Sequence, residues 1–134
     1  MKVVKKYVKT GCFEEEERIG LGDKFSYYVE ISNTEAKEEP VCQVGLVHGF
    51  SEDSDQWLEL GYQMALNNIL VHIIDLEGFG YSSGQRCLGP IIPNLHFNIT
   101  SLLEQFRPGL PSFLYGNSMG CMTLNTYLLR NPNL

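Results

Sequence analysis

Residues 112–120 read Ser112-Phe113-Leu114-Tyr115-Gly116-Asn117-Ser118-Met119-Gly120, and this stretch decides the fold. Pro111 introduces a short apolar and aromatic run, Ser112 to Tyr115, of strand character. From about Met119 to Arg130 the sequence reads as a helix, stopped by Asn131-Pro132. Between the two lies G-x-S-x-G, Gly116 to Gly120. With 13 glycines in 134 residues the pattern alone is weak. Its setting makes it specific. A nucleophile elbow needs a sharp, strained strand-to-helix turn that projects a serine hydroxyl at the top of a sheet. There the helix dipole and free N–H groups favour developing negative charge. Glycines two before and two after Ser118 let strand and helix approach without side-chain clashes. The competing reading is a Gly-Ser turn that only caps the last helix.

Working outward, Val41–Val47 and Ile69–Ile74 are mostly apolar runs of strand length without alternation, which suits strands buried on both faces of a parallel sheet. Phe25–Ile31 is rich in aromatic and β-branched residues and reads as a further strand. Ser54 and Asp55 are expected to cap a helix with Leu58, Tyr62, Ala65 and Leu66 as its apolar stripe. Pro93 suits the first turn of another helix, with Leu95, Ile99, Leu102, Leu103 and Phe106 on one face and Arg107-Pro108-Gly109 ending it. The order strand, strand, helix, strand, helix, strand, helix implies a mainly parallel sheet flanked by helices. Crossovers are expected to be right-handed. Ligands of such sheets bind beyond the carboxyl ends of the strands. Three loops lie there: His48-Gly49-Phe50, Asp75 to Gly84, and Gly116 to Gly120.

Composition bounds the function. The length allows one domain, residues 1–134. Ten basic against 16 acidic residues give a net charge of −6, which argues against nucleic-acid binding. All of that excess lies in residues 1–67, so the second half is expected to pack more deeply. Met1–Thr10 carries four lysines but no apolar stretch behind them, so no secretory signal is read there. No apolar run reaches the ~18 residues of a membrane helix. A cytoplasmic location follows as the expectation. Cys12, Cys42, Cys87 and Cys121 form no C-x-x-C and read as reduced structural thiols. No metal site is expected; the run Glu14–Glu17 reads as a solvated loop or strand edge, followed by a turn at Gly20, Gly22 and Asp23. The sequon Asn98-Ile99-Thr100 reads as chance.

The loops assign roles. In acyl transfer an oxyanion needs two aligned backbone donors. One is expected from the N–H of Met119, the residue after the candidate nucleophile. The other is expected from the loop after the first buried strand, at Phe50, where Gly49 permits close approach. His48 precedes the serine in the chain and reads as a packed residue shaping its loop. The loop from Asp75 to Gly84 lacks G-x-G-x-x-G and a Walker lysine, so nucleotide binding is rejected. Asp75 is expected to bond that loop's backbone rather than to act as a catalytic acid.

His48-Gly49-Phe50, Asp75-x-Glu77-Gly78-Phe79-Gly80-x-Ser82 and Gly116-x-Ser118-Met119-Gly120, in that order, resemble the N-terminal half of an α/β-hydrolase of the serine aminopeptidase / monoacylglycerol lipase-like family. The resemblance is strongest over 25–134. It implies a mainly parallel sheet with flanking helices and an N-terminal antiparallel strand, the C-terminal strands and cap being missing. It implies Ser118 as nucleophile, Phe50 and Met119 as oxyanion-hole residues, and Gly49, Gly116 and Gly120 as elbow and loop glycines. It further implies no cofactor, an acyl-ester substrate such as a monoacylglycerol or lysophospholipid, and, as in many members, peripheral membrane contact. Three positions depart from the family pattern: Glu77 stands for arginine, Asn117 for histidine and Cys121 for glycine.

The family triad runs Ser, Asp, His, yet after Ser118 this sequence has no His, Asp or Glu. Three readings stay open. The chain is a serine ester hydrolase whose acid and base lie elsewhere. It is a catalytically inactive truncated paralogue that binds an acyl ligand, or pairs with itself or a relative through an open sheet edge. Or it is an incomplete gene model.

Overall fold

The computed structural model describes residues 1–8, 25–86 and 92–134, with the side chains of 92–94 outside the description. The expectations at Cys12, Cys87, Glu14–Glu17 and the turn at Gly20, Gly22 and Asp23 fall outside the described residues. The strands are β1 (Lys2–Val8), β2 (Ser26–Ser32), β3 (Cys42–Val47), β4 (Ile69–Ile74) and β5 (Ser112–Gly116). The helices are α1 (Leu58–Leu66), α2 (Ile92–Leu103) and α3 (Met119–Arg130). The sheet order is β1-β2-β4-β3-β5. β4, β3 and β5 run parallel, while β2 pairs antiparallel with both β4 and β1.

The apolar runs behave as their composition dictates. β4 and β3 lie inside the sheet, and alternate residues feed two cores. Tyr27, Val29, Ile31, Val44, Leu46, Val71 and Ile73 pack with Ala65 of α1 on one face. Tyr28, Val47 and Ile74 pack with Leu95, Ile99 and Leu102 of α2 and Leu124 and Tyr127 of α3 on the other.

Several expectations are corrected. β1 was not expected: its apolar residues are interspersed with lysines and most of it is exposed, yet its full length pairs with β2. β1 runs in the direction of β4, β3 and β5, so β2 is the one antiparallel strand, as expected, and β1 adds a further strand at the sheet edge. The N-cap before α1 is Asp53, not Ser54 or Asp55. Its carboxylate accepts from Asp55 N–H at 2.9 Å, and Gln56 reaches back to Asp53 N–H at 3.1 Å, a capping box that opens a 3-10 turn over Ser54–Trp57. Of the proposed α1 stripe, Ala65 is buried while Tyr62 and Leu66 are exposed. Gly61 supplies the rest of the buried face, beside Ile31 and Val71. Regular α2 ends at Leu103, and single turns at Gln105 and Phe106 carry the chain to Arg107. The second half is packed unevenly, with β4 and the inner face of α2 buried and its C-terminal end exposed. β5 is an edge strand with Phe113 59% and Tyr115 48% exposed, and α3 leaves Leu129 81% exposed.

A buried polar chain crosses the sheet at mid-strand. Gln43 donates from Nε2 to Arg107 O at 2.8 Å and Ser112 Oγ at 2.9 Å, which turns its Oε1 toward His72 Nε2 at 3.0 Å. His72 therefore donates from Nε2 and accepts at Nδ1 from the Tyr28 hydroxyl, 2.6 Å away. Phe106 stacks on the imidazole at 4.6 Å. Burial, helped by the Arg107 charge, lowers the His72 pKa to about 4. Asn98 of the sequon is fully buried, donating to Ser26 Oγ at 2.7 Å and accepting from Glu77 N–H at 2.8 Å, so it presents no acceptor for a glycan.

Candidate active site

The β5–α3 junction is a tight turn braced by several backbone bonds. Asn117 N–H donates to Val47 O at 3.1 Å, tying the end of β5 to the end of β3. Gly120 N–H donates to Asn117 O at 2.8 Å, and Met122 N–H to Ser118 O at 3.1 Å. Ser118 sits at φ 52, ψ −112, a conformation that costs a side-chain-bearing residue free energy. The flanking glycines are required by contact. A Cβ on Gly116 would stand 2.6 Å from Cys121 N, and one on Gly120 would stand 2.2 Å from Val47 O. Ser118 itself is exposed and its hydroxyl makes no capping bond to α3. It stands free at the carboxyl end of the sheet.

The loop after β3 lies directly against this turn. A Cβ on Gly49 would fall 3.1 Å from Asn117 O and 3.4 Å from Ser118 Cβ, so a larger residue would press the loop away. His48 is fully buried and acts on the loop. Its Nε2 accepts from Leu76 N–H at 2.9 Å, which leaves Nδ1 as the protonated nitrogen, donating to Gly49 O at 2.7 Å. Glu52 N–H donates to the same oxygen at 3.3 Å. With Gly49 O held on one side, the trans peptide turns Phe50 N–H to the other. Neither Phe50 N–H nor Met119 N–H donates to another backbone group among the described residues. Met119 is the first residue of α3, where helical N–H groups have no intrahelical partner.

Asp75, just after β4, ties its own loop to the 3-10 turn before α1. It is fully buried; Oδ1 accepts from Ser54 N–H at 2.6 Å and Oδ2 from Tyr81 N–H at 2.9 Å. Burial raises its pKa, against the lowering pull of these bonds and of His48. The Gly78–Gly84 loop is thereby bonded to Asp75, as the sequence suggests, and Arg86 adds bonds to Gly80 O and Ser82 O.

One residue of this region carried no sequence signal. Glu52 Oε2 accepts from Gly49 N–H at 3.0 Å and from the Trp57 indole N–H at 3.1 Å, while Oε1 accepts from Asn117 Nδ2 at 2.9 Å. The Gly49 bond, chiefly, holds its pKa below the usual carboxylate range. Asn117 lies 65 positions away, so no local pattern marks the pair.

The three histidines are engaged elsewhere: His48 on its own loop, His72 in the polar chain, and His96 on Thr126 Oγ1 at 3.0 Å between α2 and α3. Among the described residues no group of His, Cys, Asp and Glu is placed to hold a metal, and no helix is long and apolar enough to cross a membrane. Cys42 and Cys121 are free thiols.

Known proteins resemble both the sequence and the fold. A putative monoglyceride lipase of Schizosaccharomyces pombe is 35% identical over 95 residues, covering 65% of this chain and 24% of that protein. The monoglyceride lipase of Homo sapiens is 31% identical over 87 residues, covering 60% of this chain and 28% of its own. This chain thus spans about a quarter of the length of these two relatives. A thermostable carboxyl esterase from Bacillus coagulans superposes with a TM-score of 0.75 at 20% identity, over 99% of this chain and 42% of the esterase, which speaks to the fold. The family model described as serine aminopeptidase, S33, matches residues 38–134, so that the parallel sheet, the Ser118 turn and the loop packed on it all fall in one frame: the chain belongs to the serine aminopeptidase / monoacylglycerol lipase-like family of α/β-hydrolases, with a partial α/β-hydrolase fold.

Proposed function

We propose that this chain is the nucleophile-bearing part of a serine hydrolase that cleaves carboxylic esters of the acylglycerol or lysophospholipid type. The observation that carries the reading is the exposed Ser118 on a positive-φ turn, with the Gly49–Phe50 loop packed against it. In this mechanism Ser118 Oγ attacks the ester carbonyl carbon and gives its proton to a base. The tetrahedral oxyanion accepts from the N–H groups of Phe50 and Met119, an arrangement whose loss of one donor costs roughly 10²–10³ in rate. Collapse expels the protonated alcohol and leaves an acyl-enzyme, which water hydrolyses to the free acid. His48, His72 and His96 all bond elsewhere, so base and acid come from outside these 134 residues. The relatives named monoglyceride lipase favour the acyl-ester substrate.

A fluorophosphonate probe is expected to label Ser118, with Ser118→Ala abolishing the adduct. Labelling that survives this substitution refutes the assignment.

The unpaired outer edge of β5, with Phe113 and Tyr115 exposed, favours a second reading in which the chain is a non-catalytic binding partner that pairs with itself or a relative through that edge. Ester turnover by the purified chain, lost on Ser118→Ala, excludes it.

A further inference from the structure

Glu52 is placed unlike an ordinary surface acid. Its two oxygens serve three N–H donors from three places: Gly49 of the loop after β3, Trp57 at the start of α1, and Asn117 beside Ser118. A carboxylate near a developing oxyanion is electrostatically unfavourable unless its own charge is already taken up by donors. Here both oxygens are taken, and what the bonds achieve is geometric. Gly49 and Asn117 belong to the two segments that must stay in register for Phe50 N–H and Met119 N–H to converge. Their backbones already approach closely, a Cβ on Gly49 falling 3.1 Å from Asn117 O. The Glu52 side chain is the strap across that contact, anchored at its far end by the indole.

We propose that Glu52 is a positioning residue that locks the oxyanion loop to the Ser118 turn through Asn117, and that protonating or neutralising its carboxylate releases the lock. The word oxyanion rests on the ester-hydrolase reading above; the lock itself does not. An ionised carboxylate accepts all three bonds, whereas a protonated acid or a carboxamide turns a donor toward one of the N–H groups. The titratable group facing Glu52 from the end of β3 is His48. Asp53 and Asp55 follow it in its own segment, and the Ser118 turn offers only uncharged Asn117. The Asn at position 117, where the family usually has histidine, fits this arrangement because it donates without titrating.

Trp57 is the only tryptophan, so its indole N–H gives one assignable resonance in the ¹⁵N-labelled chain. Between pH 3 and 7 the Trp57 indole and Gly49 amide resonances are expected to shift together, with one midpoint below the ordinary glutamate value of about 4.3. Glu52→Gln abolishes both titrations and speeds Gly49 amide exchange at least about tenfold. Asn117→Ala moves the common midpoint upward. In parallel, the rate of fluorophosphonate labelling at Ser118 falls roughly 10- to 100-fold in Glu52→Gln, the scale of a misplaced but retained donor. The acid limb of the wild-type pH profile coincides with the resonance midpoint and disappears in the variant. Separate midpoints, flat resonances, or equal labelling of wild type and Glu52→Gln overturn the proposal. Joint titration together with labelling that survives Ser118→Ala upholds the lock and refutes the ester-hydrolase reading instead.

Discussion

Replacing Gly120 with alanine tests the packing on which the candidate site depends. The added Cβ would stand 2.2 Å from Val47 O and 2.5 Å from His48 O, whereas ordinary contact begins near 3.4 Å. Both obstacles are main-chain atoms at the end of β3, so neither can rotate away. The start of α3 must part from β3 by about 1 Å, the shortfall between those distances. Overpacking of this kind costs typically 1–3 kcal/mol, and with backbone on both sides we expect about 3 kcal/mol. For a domain of this size that is a fall in Tm of roughly 10 °C. Gly109→Ala is the matched control. It has φ +84 but nothing within 4 Å of its Cβ, so it pays only the conformational term. That term is about 1 kcal/mol, or a few degrees. Scanning calorimetry of the two variants beside wild type separates steric exclusion from backbone strain. If Gly120→Ala melts within about 3 °C of wild type, or no lower than Gly109→Ala, α3 does not sit on the end of β3 and the placement of Ser118 fails with it.

Ser118→Gly should raise stability by about 1 kcal/mol, read in urea midpoints, because glycine relieves the φ 52 strain, whereas Ser118→Ala should leave the midpoint nearly unchanged. His72, lowered from 6.5 to about 4 by burial, is favoured neutral in the fold. The unfolded chain binds the proton first, so this group's contribution is complete above pH 6.5 and is lost as pH falls from 6.5 toward 4, by at most about 3 kcal/mol. His72→Gln should flatten that slope in chemical denaturation series between pH 4 and 7. Asp75→Asn turns one amide donor toward either Ser54 N–H or Tyr81 N–H and should cost about 1–3 kcal/mol in the same assay, with faster exchange at the Tyr81 amide.

What could be read in the sequence was local. The apolar runs of β3 and β4, the face of α2 through Leu95, Ile99 and Leu102, and the glycines around Ser118 each carry their cause within a few residues of chain. The failures have causes of the same kind. β1 hides because its apolar positions are interspersed with three exposed lysines, Lys2, Lys5 and Lys6, along an edge, so neither alternation nor a buried run emerges. The cap at Asp53 hides among three consecutive residues of capping type, and only the backbone geometry selects one. Tyr62 and Leu66 match a helical stripe, but α1 turns Gly61 and Ala65 to the sheet instead, Gly61 lying against Ile31 and Val71. His72 interrupts an apolar run, and nothing in its neighbourhood announces Tyr28, Gln43 and Phe106, which lie 29 to 44 positions away in two of the hydrogen bonds. The Glu52–Asn117 bond, 65 positions apart, belongs to the same class. Long-range polar pairing leaves no periodicity, because it satisfies single buried or half-buried groups rather than a repeating surface.

The bonds described here divide the candidate site unevenly. The backbone that carries Ser118 and the two candidate amide donors is held by bonds among the described residues, in β3, the loop after it, His48, Glu52 and the first turn of α3. These positions lie on the strands and loops that meet where β3 pairs with β5. Proton transfer is the part that does not come with the sheet, since each histidine here is spent on packing or on a loop. Geometry for stabilising an oxyanion and chemistry for activating a nucleophile therefore separate at the edge of β5. Under the ester-hydrolase reading, a neutral trigonal electrophile that becomes a tetrahedral anion by bonding the Ser118 oxygen, its proton passing to solvent, should bind at Ser118 far better than the rate of ester turnover suggests. Calorimetric titration with a boronic acid, which supplies its own electrophile, measures that difference. Binding abolished by Ser118→Ala, together with undetectable turnover, is the outcome this division requires. A boronic acid that binds no tighter to wild type than to Ser118→Ala would mean the amides do not converge.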